Sequence, residues 1–452
     1  MTGKRRTQIF EVSTLYGAAT LAAALDAGRF GPRGSARRML LLSNNATVPE
    51  TAAGLPDMTG WAQVVSRFDA VLDWNEAIRP FHPGDWRPVD RDAPLWQRLL
   101  RRYWDLGEGP IELVVESVHA APAAALATIF SDADLHVYAD GLMSYGPTRE
   151  RLPVGTACRI RRLLHLDLVP GLRPLLLSEY GVPAETVPSD SFRAILDEIT
   201  QASPPPAQEM GVERPAVLLG QYLAALNILT EAEEEQLHER MLRGAARAGF
   251  RAVVFKPHPT APVRYSRLLE KAAAEAGVRL TVLDTPMLAE TVFARYRPGL
   301  VVGCFSTALL TASVAYGIPV ARVGTGPLLE RIKPYQNSNR VPLTLVDALL
   351  PDLEATAKGE VVTDRPTLAQ EIEPLLRTVG YCMQAKANPG LRAEAERWLD
   401  AELGPATHRY FKRARLTALA LPGGFGSQLA RQLPGGGAAI RVARRVRKAT
   451  RR

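Results

Sequence analysis

The sequence predicts an α/β protein of two Rossmann-like domains, each built on a parallel sheet, facing one cleft. Three observations lead there. Short apolar runs alternate with helical stretches along the whole chain, the pattern of a parallel sheet covered by helices on both faces. Gln201-Ala202-Ser203-Pro204-Pro205-Pro206 divides the chain, because consecutive prolines cannot continue a helix and favour extended backbone. Two later apolar runs end in polar groups, at the place where open α/β sheets bind their ligands. The expected organisation is a first domain over 1–203, a linker over 204–213, a second domain over 214–404 and a basic tail over 405–452.

The elements follow in order. Gln8-Ile9-Phe10-Glu11-Val12 reads as a strand, and an alanine-rich helix follows over Ala18 to Ala27. Met39-Leu40-Leu41-Leu42 is a second strand. Glu112-Leu113-Val114-Val115-Glu116 is a third, with a helix from Pro122 to Ile129 behind it. Leu135-His136-Val137-Tyr138 is a fourth and ends at Ala139-Asp140-Gly141. After the prolines, Ala216-Val217-Leu218-Leu219 is a strand ending at Gly220-Gln221-Tyr222. Thr230 and Glu233 make a capping-box start for a helix to Ala248. Strands are then expected at Ala252 to Phe255, Leu280 to Leu283, Leu300 to Val302 and Ile318 to Ala321.

Composition narrows the class. An apolar fraction of 46% and a charged fraction of 23% are those of a globular protein. The apolar stretches are shorter than the ~20 residues of a membrane span. Thr7-Gln8-Ile9-Phe10-Glu11-Val12 is too polar for the core of a signal peptide, so none is expected. Cys158, Cys304 and Cys382 are odd in number and far apart, which points to neither a disulfide framework nor a metal site and fits a reducing cytoplasm. The net charge of +8 is a property of the tail: from Pro405 onward there are twelve Lys and Arg and no Asp or Glu, so the body before it is slightly acidic.

Several side chains could carry chemistry. His258, in Lys256-Pro257-His258-Pro259, sits at a strand end, with Lys256 adding positive charge and prolines holding the backbone. His82-Pro83 lacks such a strand and reads as structural. Ser306 and Thr307 open a helix, where one hydroxyl can cap and the free N–H groups can receive an anion. Asp140 follows a strand and could also simply make a turn. Glu116 ends another strand, as a second cleft carboxylate or as a helix cap. Glu290 falls in the first turn of a helix, where the dipole favours carboxylates in any case. A proton donor paired with an anion seat suggests a nucleotide-sugar transferase.

Taken together, Ala139-Asp140-Gly141, His258-Pro259 and Ser306-Thr307 resemble, in that chain order, the acidic-acidic-glycine, HP and serine-rich motifs of bacterial sialyltransferases. The resemblance is greatest to the α-2,8-polysialyltransferase-like family of actinobacteria and spans roughly residues 7 to 400. It implies a GT-B architecture, a CMP-activated nonulosonic acid donor of sialic acid or Kdn type, inversion, and neither metal nor further cofactor. Carried onto this chain, it implies that His258 is the acid and that Ser306 and Thr307 hold phosphate. It further implies that Glu290 bonds the ribose, and that Gln221, Tyr222, Lys256 and Pro259 line the donor pocket. One position departs from the pattern. The first acidic place is Ala139, so the base is Asp140 or Glu116, or the chain is inactive. Two other readings stay open: a GT-B glycosyltransferase or epimerase using a UDP or GDP sugar, and a glycan-binding protein without activity. The expected acceptor is a cell-surface glycan or lipid-linked polymer. The expected location is the cytoplasm, with the arginine-rich tail on the anionic inner face of the plasma membrane and no nucleic-acid partner.

Overall fold

A computed structural model describes residues 5–46, 49, 54–203, 214–258, 264–283, 287–355 and 369–425. The expected linker and the tail beyond Phe425 lie outside the described residues, as does Pro259. The first sheet has seven strands: β1 (Thr7–Val12), β2 (Arg37–Leu42), β3 (Ala70–Asp73), β4 (Ile111–Val115), β5 (Asp134–Ala139), β6 (Ile160–Leu166) and β7 (Ala184–Val187). Their spatial order is β3-β2-β1-β4-β5-β6-β7, and every neighbouring pair is parallel. The second sheet has β8 (Ala216–Leu219), β9 (Ala252–Lys256), β10 (Arg279–Val282), β11 (Leu300–Gly303) and β12 (Val320–Arg322), in the order β10-β9-β8-β11-β12 and again all parallel. The two Rossmann-like domains make the GT-B architecture.

Each sheet is doubly wound, and this positions the site. In the first, the chain runs outward from β1 to β3 and then returns to β4 beside β1. In the second, it runs from β8 to β10 and returns to β11 beside β8. At such a reversal the connections leave in opposite directions and open a crevice at the strand ends. Both crevices therefore lie where the sequence places Glu116, Gln221, Tyr222 and Ser306.

Burial on both faces explains why these strands read as unbroken apolar runs. Ile9, Met39, Leu113 and Val137 pack on one face of the first sheet, in a core of their own. Phe10, Leu40, Val114 and Tyr138 pack on the other, in a core continuous with the second domain. The domains are also tied by Arg295, which donates to the Thr200 and Ser203 carbonyls at the end of the Ser189–Ala202 helix. The Ala369–Gln384 helix returns to the first domain, where Arg173 pairs with Glu373 at 3.3 Å.

The expectations differ from the structure in three places. Strands β3, β6 and β7 were not anticipated: β6 is broken by Arg161, Arg162 and His165, and β3 and β7 are four-residue edge pieces. The last strand begins at Val320 rather than Ile318. Residues 405–425 are folded against the second domain, with Tyr410, Phe411, Leu416 and Leu421 buried. Their anchor is the buried carboxylate of Asp347, which accepts from Thr325 and from Tyr410 Oη at 2.9 Å and forms ion pairs with Arg409 at 3.0 Å and Arg322 at 3.2 Å. Tyr410→Phe removes one hydrogen bond to a buried charge. It is expected to cost about 1.5–3 kcal/mol of stability in a denaturant melt.

Candidate active site

The first-domain half is a set of carboxyl groups at the ends of β1, β4 and β5, three adjacent strands. Glu11 lies inside β1 and is 2% exposed. Glu116 is the residue after β4, and its N–H donates to Glu11 Oε2 at 3.3 Å. Ser13 Oγ donates to Glu116 Oε2 at 3.0 Å. Tyr138 Oη donates to the Glu11 carbonyl at 3.1 Å. Asp140 is the residue after β5. It reaches the start of the Leu15–Asp26 helix, which Thr14 caps by accepting from Gly17 N at 2.9 Å. Gly17 permits that approach: a Cβ there would lie 3.2 Å from Asp140 Oδ2 and 3.1 Å from Tyr138 Oη.

Burial disfavours charge on all three acids, and the Glu116 charge disfavours it further on the other two. Glu11 is pushed up to about 8. Asp140 is raised by burial and then by Glu116. Glu116 itself is raised by burial, against the opposing hydrogen bond from Ser13. Such a cluster keeps protons near neutral pH, the condition for a carboxylate that accepts a proton at physiological pH.

The second-domain half gathers at the ends of β8, β9 and β11. Lys256 ends β9 and His258 follows two residues later. The Tyr222 ring stacks on the His258 imidazole, centroids 3.9 Å apart at 29°. Burial, and then the Lys256 charge, push His258 down to about 4, so its resting imidazole is neutral. Lys256 is lowered by burial, with Glu290 opposing. Glu290 is 2% exposed and is pushed up to about 7 by burial, against a backbone N–H, the charge of Lys256 and the nearby Thr311 hydroxyl. Its Oε1 has no hydrogen-bond partner among the described residues. The Gln221 N–H donates to His238 Nε2 at 3.1 Å, and Glu234 accepts from the Leu223 and Ala224 N–H groups at 2.6 and 3.1 Å. These bonds fix the loop that carries Tyr222. Gly220 lets this loop lie against the next strand end, since a Cβ there would be 2.9 Å from Pro257 Cα.

The two halves touch. Ser306 caps the Thr307–Tyr316 helix by accepting from Ala308 N at 3.3 Å. Thr307 Oγ1 accepts from Leu142 N of the first domain at 3.4 Å, so its hydroxyl is engaged by the segment that follows Asp140. Tyr16 Oη meets Thr311 Oγ1 at 3.1 Å. The structure thus sets Asp140 and Glu116 in one cluster, Tyr222 on His258, and Thr307 against the Asp140 segment. His258 and Ser306 lie on either side of the β8 end. Sequence reading did not single out Glu11, Tyr16 or Tyr138. Among the described residues, no group of three or more His, Cys, Asp or Glu is placed to hold a metal ion. No described helix is long and apolar enough to cross a membrane.

A family model described as alpha-2,8-polysialyltransferase (POLYST) matches residues 8–325. Similar solved structures include a 2,6-sialyltransferase of the Vibrionaceae Photobacterium sp. JT-ISH-224, in a ternary complex with the donor product CMP and the acceptor substrate lactose. It shares 12% identity at a TM-score of 0.42, over 76% of this chain and 75% of that one. The GT-B domain of a sialyltransferase from Photobacterium damselae shares 12% identity at a TM-score of 0.41, over 76% of this chain and 96% of that one. A glycosyltransferase from Rickettsia africae shares 9% identity at a TM-score of 0.39, over 86% and 93%. No curated protein matches the sequence.

Proposed function

From the premise that the chain belongs to the alpha-2,8-polysialyltransferase family and is a glycosyltransferase, we propose that it moves a nonulosonic acid from a CMP donor to a glycan hydroxyl, with inversion and without metal or further cofactor. The observation that carries this reading is the opposition of the two halves: the segment after Asp140 rests on the capped start of the Thr307–Tyr316 helix.

In the proposed reaction, the donor phosphate sits on the free N–H groups of that helix start, a natural anion seat. Thr307 exchanges Leu142 for a phosphate oxygen. Glu290 Oε1, which lacks a partner, accepts from the ribose hydroxyls. Gln221 and Tyr222 line the nucleotide pocket beside Lys256. The acceptor oxygen attacks the anomeric carbon of the nonulosonic acid, the bond from that carbon to the CMP phosphate oxygen breaks, and CMP leaves. Asp140 takes the acceptor proton, and His258 gives its proton to the departing phosphate. A bound phosphate anion favours the imidazolium that the empty pocket disfavours. Glu11 and Glu116 supply the acidic surroundings that Ala139 does not. Positive charge for the leaving group comes from Lys256, His258 and the helix start.

A thermal-shift comparison tests the donor class. CMP is expected to raise the melting temperature more than UDP or GDP at equal concentration; a larger shift with UDP or GDP would favour the other donor class. The membrane reading belongs to this proposal as well. Each basic residue near an anionic surface contributes ~1 kcal/mol, so the arginines beyond Phe425 suffice for reversible binding. A chain ending at Gly404 would lose the buried Tyr410, Phe411 and Leu416, so the shortened form for liposome flotation ends at Phe425. The full chain is expected to float with anionic vesicles and the shortened chain to stay behind; equal flotation would show that the tail is not the anchor.

A further inference from the structure

One helix carries both contacts described between the cleft faces. Thr307 and Thr311 are one turn apart and share a face of the Thr307–Tyr316 helix. Leu142 grips the first and Tyr16 the second. The Thr311 hydroxyl, which also donates to the Thr307 carbonyl at 3.5 Å, favours the charged form of the neighbouring Glu290 carboxyl. The series therefore runs from a first-domain hydroxyl, through Thr311, to a buried carboxyl group with one unpartnered oxygen. Tyr16 is held from behind, its ring edge-on to Phe192 with centroids 5.2 Å apart. Its hydroxyl lies in the fields of both Glu290 and Asp140. Burial, then Glu290, keep that hydroxyl protonated, so it can donate to Thr311.

We propose that Tyr16 is a positioning residue that couples occupancy of the Glu290 pocket to the placement of the Asp140 segment. This rests on the reading of Glu290 and the helix start as the donor pocket. A donor that bonds Glu290 orients its carboxyl group, and hence Thr311. Tyr16 then holds the first domain in the register where Asp140 faces the acceptor hydroxyl. Donor binding within the second domain alone does not need the Tyr16 hydroxyl, whereas alignment of the two halves does.

Tyr16→Phe keeps the ring against Phe192 and removes only the hydroxyl. On the full chain, CMP affinity is expected to stay within about threefold, while kcat for CMP release from CMP-Neu5Ac falls at least about tenfold. CMP is expected to slow amide exchange over residues 138–145 in the wild type and not in the variant. Thr311→Val also lowers kcat, and the double variant is no worse than Thr311→Val alone, because both remove the Tyr16–Thr311 bond. Thr311→Val also serves alone should Tyr16→Phe not fold. Three results would each overturn the inference: kcat within about twofold of wild type, a loss confined to CMP affinity, or single-variant losses that multiply in the double variant. If CMP binds and protects 138–145 equally in both proteins, the Tyr16 inference fails and the donor reading stands. If the wild type neither binds CMP nor releases it from the donor, the donor reading fails and takes this inference with it.

Discussion

Asp140→Asn is expected to lower transfer by ~10²–10⁴-fold, the contribution of a positioned proton acceptor, and Glu116→Gln to lower it less. Both variants keep the shape of the side chain and remove its ability to take a proton. Asp140 is singled out by its position: it alone of the three acids stands at the segment that crosses to the second domain. Glu116 is held by Ser13 and faces Glu11, so its loss changes the field around Asp140 rather than the acceptor of the proton. Initial rates of CMP release decide the order. The reverse order, with Glu116→Gln the more damaging, would move the base to the β4 end.

The same cluster fixes the sign of the pH dependence. Burial and mutual repulsion raise these acids, and activity needs one of them ionised. With His258 held as imidazolium by the bound donor phosphate, kcat in the wild type is therefore expected to rise as pH increases from 6 toward about 8. The apparent midpoint belongs to the set rather than to one residue. A flat profile across that range would contradict a buried carboxylate base.

His258→Ala is the second large effect, again ~10²–10⁴-fold in kcat. The imidazole is stacked on Tyr222 and lies in the field of Lys256, so removing it takes away the proposed proton donor and leaves the sheet untouched. Circular dichroism should match the wild type while CMP release collapses. Turnover within about tenfold of wild type would rule out the general-acid role.

The parts of the fold legible in the sequence were those whose residues are buried on both faces. Ala216–Leu219, Ala252–Lys256 and Leu300–Gly303 are nearly unbroken apolar runs because their parallel neighbours cover them on either side. Ile160–Leu166 was hidden because Arg162 reaches across to Glu185 and the Phe30 face, charges that a local pattern assigns to solvent. Ala70–Asp73 and Ala184–Val187 are edge strands, too short and too exposed to leave a periodic signal. The site divided in the same way. The positions of Asp140 and His258 after strands and of Ser306 at a helix start were legible because strand ends and helix starts have marks in the sequence. Glu11 carried a signal that went unused: a carboxylate inside a central parallel strand has no solvent face to point to. Tyr16 carried none, since a tyrosine at the start of an alanine-rich helix gives no indication of a partner 295 residues away.

The most direct test of the central claim is a donor panel with mass readout of the product. Purified full-length protein is incubated with CMP-Neu5Ac, CMP-Kdn, and representative UDP and GDP sugars, together with a glycan acceptor. Growth of the acceptor by one or more nonulosonic acid residues, with CMP released in equal amount and only from the CMP donors, is the predicted result. Transfer from a UDP or GDP sugar instead, or no product from any donor while CMP still binds, would contradict it.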